Sequence, residues 1–169
     1  MRQNREIEMS KISTWMWFET EAEDAARFYA SVFRDAKLGA VEHASAGGEP
    51  YMKEGQVITA EVIIDGHQIV CLNGGPHPEA KPNDAMSLQI LCEDQEEVDE
   101  YWAKLRADGG REIQCGWIKD KFGFGWQIVP EALPRLMRDP DPAVAKRVTE
   151  AMMKMVKLDV AELERAARE

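Results

Sequence analysis

Few side chains in this sequence are of a type and spacing that could do covalent or metal chemistry. Its three histidines, His43, His67 and His77, show no HxH or HExxH spacing, so they do not form a metal motif among themselves. His67 has the same strand parity as Ile69, Cys71 and Asn73, so His67 and Cys71 could face one cavity as ligand or general base. The alternative leaves His67 in solvent beside the Asp65-Gly66 turn. Cys115 could act as a nucleophile only with a base or cation beside it, and Lys119 and Lys121 are the close cations in sequence. Four residues along a strand separate Cys115 from Lys119 by roughly 13–14 Å, too far for direct pairing. A small buried thiol is the simpler reading. The methionines at 137, 152, 153 and 155 suit helix packing, a flexible lid or a subunit contact.

These residues need elements to position them. Ile12 to Phe18 is an aromatic-rich strand, and Thr20 to Phe33 has a helical apolar stripe with Thr20 as its cap. Strands are expected at Lys37–Ala44, Gln56–Ile64 and His67–Leu72, the last two joined by an Asp-Gly turn, with a loop from Ser45 to Gly55. Then come a strand at Met86–Cys92, a helix from Glu93 to Asp108 ended by Gly109-Gly110, and strands at Ile113–Lys119 and Gly125–Val129. Pro130 to Met137 is a short helical turn. Asp141 with Pro142, and Asp159 with Glu162, mark the starts of two more helices.

The two halves repeat at an ungapped offset of 73 residues: Thr14 to Phe18 falls on Ser87 to Leu91, Ala25 on Val98, Phe28-Tyr29 on Tyr101-Trp102, and Val32 on Leu105. Each half therefore reads strand, helix, then a strand pair or triplet, and the expected unit is a duplicated β-α-β-β-β module. The expected organisation is a tail at 1–10, modules at 11–78 and 79–137, and C-terminal helices at 138–169.

The 169 residues carry 21 Lys and Arg against 31 Asp and Glu, a net charge of −10, which argues against nucleic-acid partners. No apolar run reaches the ~18–20 residues a membrane span needs. Three widely spaced cysteines fit reduced thiols in a cytoplasmic protein better than a disulfide framework.

The duplicated module resembles the vicinal oxygen chelate superfamily, which includes glyoxalase I and bleomycin-resistance proteins. More specifically the chain is similar to the PhnB-like family, labelled as a 3-demethylubiquinone-9 3-methyltransferase domain. The motifs that carry the resemblance are Trp17-Phe18 with the helix to Phe28-Tyr29, Leu72-Asn73-Gly74-Gly75-Pro76, Cys92-Glu93-Asp94, Cys115 to Gly123 with Trp126 to Pro130, and Ala151 to Met155 with Leu158-Asp159. It implies an α+β fold in which the two modules form a curved mixed sheet with a C-terminal helical tail, and it implies a homodimer.

The metal-using members take ligands from the first and last strand of each module. Carried over, those places are Thr14 and Ser87 at the strand starts, and Gln127 and, less surely, Cys71 on the last strands. None is His, Asp or Glu, so no metal and no cofactor is expected. The methyltransferase label is also unsupported, because the first strand runs into Glu19-Thr20-Glu21 with no glycine-rich turn.

What remains is a small-molecule pocket in the sheet. Trp15 and Trp17 share one face of the first strand, and Thr14, Met16 and Phe18 share the other. Parity alone leaves either face open as the cavity side; the carried-over Thr14 place favours Met16 and Phe18 inward, with the tryptophans packed against helices. The expected lining is Thr14, Met16, Phe18, Cys71, Ser87, Gln89, Cys115, Trp117, Trp126 and Gln127, suited to a planar or apolar ligand. A non-catalytic sequestering protein and a divalent-metal glyoxalase-type enzyme are the alternatives.

Overall fold

The computed structural model describes residues 11–47 and 52–169. The expected tail at 1–10, and positions 48–51 of the expected loop, lie outside them. Two compact units divide between Lys81 and Pro82.

The first unit runs β1 (Thr14–Phe18), α1 (Ala22–Val32), β2 (Lys37–His43), β3 (Val57–Ile64) and β4 (His67–Asn73). Its sheet has the order β1-β4-β3-β2, with β1 parallel to β4 and the other pairs antiparallel. Asp65 and Gly66 both have positive φ at the β3–β4 turn, which the Asp-Gly pair supplies at little cost.

Helix α1 buries Ala22, Ala25, Ala26, Tyr29 and Val32. Three alanines on that stripe let the helix backbone lie close to the sheet. Thr20 is not its cap: the N-cap position is Glu21, which makes no side-chain cap bond. The orphan N–H of Ala22 instead donates to Asn73 Oδ1 at 2.8 Å, and Asn73 Nδ2 donates to Val57 O at 3.0 Å. Asn73 is buried and serves both a helix end and a strand end. Asn73→Ala is expected to cost about 1–3 kcal/mol, since it strands one buried donor and one acceptor. A urea unfolding midpoint unchanged from the parent would refute that role.

The rest of the Leu72-Asn73-Gly74-Gly75-Pro76 motif houses Trp17. A Cβ on Gly74 would lie 2.0 Å from the Trp17 ring. Trp17 Nε1 donates to Gly75 O at 2.9 Å, and Gly75 has φ +76°.

The second unit runs β5 (Leu88–Cys92), α2 (Gln95–Arg106), a single 3-10 turn at Ala107–Gly109, β6 (Arg111–Glu112), β7 (Trp117–Lys119), β8 (Gly125–Pro130), α3 (Ala132–Met137), α4 (Pro142–Met152) and α5 (Val160–Arg168). Its sheet has the order β5-β8-β7-β6, again with the first pair parallel. Both units are therefore the expected β-α-β-β-β module, and the strand pairing forms one four-stranded mixed sheet in each.

Asp94 caps α2 by accepting from Glu97 N, Asp141 caps α4 with Pro142 in its first turn, and Asp159 caps α5 by accepting from Glu162 N. Helices α3 to α5 close over their own core of Leu133, Leu136, Val148, Met155, Leu158 and Leu163, which also takes in Val129 of β8. Gln95 holds the segment before α5 through Leu158 O and Val160 N, and Lys157 pairs with Asp99. Hydrogen bonds from Lys157 and Gln95 keep the Asp99 carboxyl below the usual carboxylate range. No described helix is long and apolar enough to cross a membrane.

The expected single strand from Ile113 to Lys119 is a correction. Cys115 and Gly116 both have positive φ, and Trp117 N bonds Gln114 O, so a tight turn separates β6 from β7. The turn points the N–H groups of Cys115 and Gly116 at Met155 O and Val156 O, which anchors the C-terminal segment.

Candidate site on the second module's sheet

The sheet of the second unit has two chemically different faces. Ile118, Trp126, Ile128 and Cys92 are fully buried and share one parity with Leu88 and Ile90, giving the apolar face that meets the α2 stripe of Val98, Tyr101, Trp102 and Leu105. Trp126 Nε1 on that face donates to the buried Asp120 Oδ2 at 2.9 Å. Asp120 Oδ1 also accepts from Phe122 N and Phe124 N, so the side chain clasps the turn Asp120-Lys121-Phe122-Gly123.

The opposite parity carries the polar groups. Register places Gln89, Gln127 and Trp117 side by side across β5, β8 and β7. The next row holds Gly125, Lys119 and Arg111 across β8, β7 and β6. Ser87 completes that row: a Cβ on Gly125 would lie 3.6 Å from Ser87 Cβ. Gln127 Nε2 donates to Ser87 Oγ at 2.8 Å. That leaves the Ser87 O–H and the Gln127 Oε1 for a ligand. Gln89 is exposed, and Ser87, Trp117 and Gln127 are half-buried. Lys119 Nζ pairs with Asp84 Oδ1 at 2.6 Å.

Four expected lining residues, Ser87, Gln89, Trp117 and Gln127, thus meet on this open face. The structure places the others elsewhere. Trp126 is on the α2 face. Cys115 lies in the tight turn with Sγ 3.9 Å from Met153 Sδ. Thr14, Met16, Phe18 and Cys71 belong to the first unit and share the parity of Asn73, whose side chain reaches α1. Met16, Phe18 and Cys71 are buried there at 4%, 5% and 0% exposure, while Trp15 on the other face is 58% exposed. The expected faces of β1 are therefore reversed. Thr14 Oγ1 is bonded to His67 Nε2 at 2.9 Å, so His67 is half-buried rather than bathed in solvent.

The reversal has a simple cause. Glu21 falls on Asp94 as the helix caps require, but Thr14 falls on Leu88 and Phe18 on Cys92, one place beyond the ungapped repeat. The connection from β1 to α1 has three residues and that from β5 to α2 has two. One residue of slip exchanges every strand side chain between faces. Under the structural match Val70, opposite Trp15, is the counterpart of Gln127 opposite Gln89.

These donors do not fit a divalent metal. Of the four carried-over ligand places, Thr14 is committed to His67 and Cys71 is sealed under α1, which leaves one hydroxyl and one neutral amide. Among the described residues no three His, Cys, Asp or Glu are grouped to hold an ion. Lys119, Arg111 and Asp84 were missed as members of the face. The available signal was parity, since Lys119 stands two residues from Trp117 on one strand.

The sequence profile of the family described as 3-demethylubiquinone-9 3-methyltransferase matches residues 10–129. The chain belongs to this family. Among solved structures it is similar to the PhnB protein of Bacillus cereus, at 31% identity and a TM-score of 0.63, covering 72% of this chain and 99% of that one. It is also similar in fold to protein PA1353 of Pseudomonas aeruginosa, at 17% identity and a TM-score of 0.59, covering 72% and 98%. A search of the curated proteins gives no match. The matched family profile ends at β8, and α3 to α5 follow it.

Proposed function

We propose that the open sheet face of the second module binds a small planar molecule, and that this chain is not a methyltransferase. The carrying observation is the row of Gln89, Gln127 and Trp117 with the Ser87–Gln127 hydrogen bond. A ring can lie on the Trp117 indole while the amides and the hydroxyl orient its polar substituents. The face holds amides, a hydroxyl and cations but no nucleophile with a base beside it, which suits binding and orientation.

The family's methyltransferase description is not supported by the strand-to-helix connections. A doubly wound methyltransferase would place a glycine-rich turn there for S-adenosylmethionine. Here the connections are Glu19-Thr20-Glu21 and Glu93-Asp94.

Ligand-observed NMR screening of planar fragments, with S-adenosylmethionine included, tests both statements. Fragments competing for one saturable site are expected. Gln127→Ala should weaken the tightest of them about tenfold or more, the worth of one to two hydrogen bonds. Its unfolding midpoint should stay near that of the parent. Saturable binding of S-adenosylmethionine with methyl transfer to an acceptor would overturn the reading.

A further inference from the structure

We propose that the ligand of this face is a planar carboxylate, whose anionic end displaces Asp84 from Lys119. The proposal rests on the reading of the face as a small-molecule site. It is carried by the row Arg111–Lys119–Gly125–Ser87. Two cations stand directly opposite one another on neighbouring strands, an arrangement that repels in a protein whose net charge is −10. Arg111 has no ion-pair partner among the described residues. A surface that is acidic overall has concentrated positive charge beside a stacking ring.

The two partners of the one ion pair are unequally held. The Lys119 side chain is 15% exposed and that of Asp84 is 70% exposed. Lys119 is fixed along the sheet, while Asp84 can swing into water. An ion pair with one partner so exposed contributes only about 0–1 kcal/mol, so exchanging Asp84 for a ligand carboxylate costs little. Gly125, itself buried, has no side chain, so none stands between Lys119 and Ser87 in the row. The Ser87 hydroxyl on its far side is a second donor to an oxyanion.

Spacing sets the shape of the ligand. Lys119 and Trp117 stand two residues apart on β7, roughly 6.7 Å along the strand. That matches an aromatic ring lying on Trp117 with a carboxylate attached directly to it.

Calorimetric titration of the full chain with 2-naphthoate, 2-naphthamide and 2-naphthylmethylamine tests the proposal. These probes share a ring system and differ in charge. The expected result is naphthoate binding at least tenfold tighter than the amide, with the amine weakest. Lys119→Met should remove that preference and leave the amide within twofold, while Lys119→Arg should keep most of it. Asp84→Asn should tighten naphthoate several-fold by removing the competing carboxylate. Equal binding of naphthoate and naphthamide would overturn the carboxylate proposal and leave the binding face standing. Preference for the amine would do the same. Absence of binding by all three at millimolar concentration, with circular dichroism showing intact protein, would overturn the face as a site along with it.

Discussion

Replacing Asp120 with alanine is expected to lower stability by about 3–5 kcal/mol. The side chain is 3% exposed and accepts from Phe122 N, Phe124 N and Trp126 Nε1. Alanine would strand two backbone donors of the turn and the indole N–H of a fully buried tryptophan. That loss is a large part of the ~5–15 kcal/mol typical of a folded domain. Asp120→Asn should cost less, because one oxygen still serves the two backbone groups, while its amide N–H then meets the indole N–H. Equilibrium urea unfolding checks both. Asp120→Ala within about 1 kcal/mol of the parent would show that the clasp does not hold the turn.

The second large effect tests the faces of β1. Met16→Glu is expected to destabilise by at least about 4 kcal/mol, since it buries a carboxylate under α1 with no partner. Trp15→Glu, one residue away, should stay within about 1 kcal/mol, because Trp15 is 58% exposed and the bond its Nε1 donates to the Ser13 hydroxyl is exposed. Unfolding curves and near-ultraviolet circular dichroism of the two variants separate the cases. The reverse order would mean that Met16 and Phe18 line an open face, as the ungapped repeat implies.

That contrast shows what the sequence could and could not say. Element types, the Asp94, Asp141 and Asp159 regions as helix starts, and the duplicated module follow from periodicity and capping chemistry, which are local. Strand faces depend on register, and register across the repeat turned on one residue in a short connection. No apolar pattern shows that residue, because both faces of β1 carry large apolar side chains: Trp15 and Trp17 on one, Met16 and Phe18 on the other. Asn73 as a distant helix cap was invisible for a different reason. It lies at the end of β4 and reaches α1 only after the sheet has formed. The Cys115-Gly116 turn was hidden because a non-glycine residue occupies its first left-handed position.

The candidate site was legible in part. Ser87 and Gln127 came from the resemblance as metal-ligand places, and they do sit together, bonded to each other. Gln89 and Trp117 came from the expected lining. Lys119 was weighed only as a partner for Cys115. Its strand parity with Trp117 makes it part of the open face, and pairing with Arg111 gives that face its charge.

The most direct test of the binding face is a titration of nitrogen-15-labelled protein with the tightest fragment from the screen, following side-chain amide and indole N–H resonances. The side-chain amides of Gln89 and Gln127 and the indole of Trp117 are predicted to shift together and saturate, while the buried Trp126 indole and those of Trp15 and Trp17 stay in place. Saturating shifts at Trp15 and Trp17 with Gln127 and Trp117 unmoved would contradict the account.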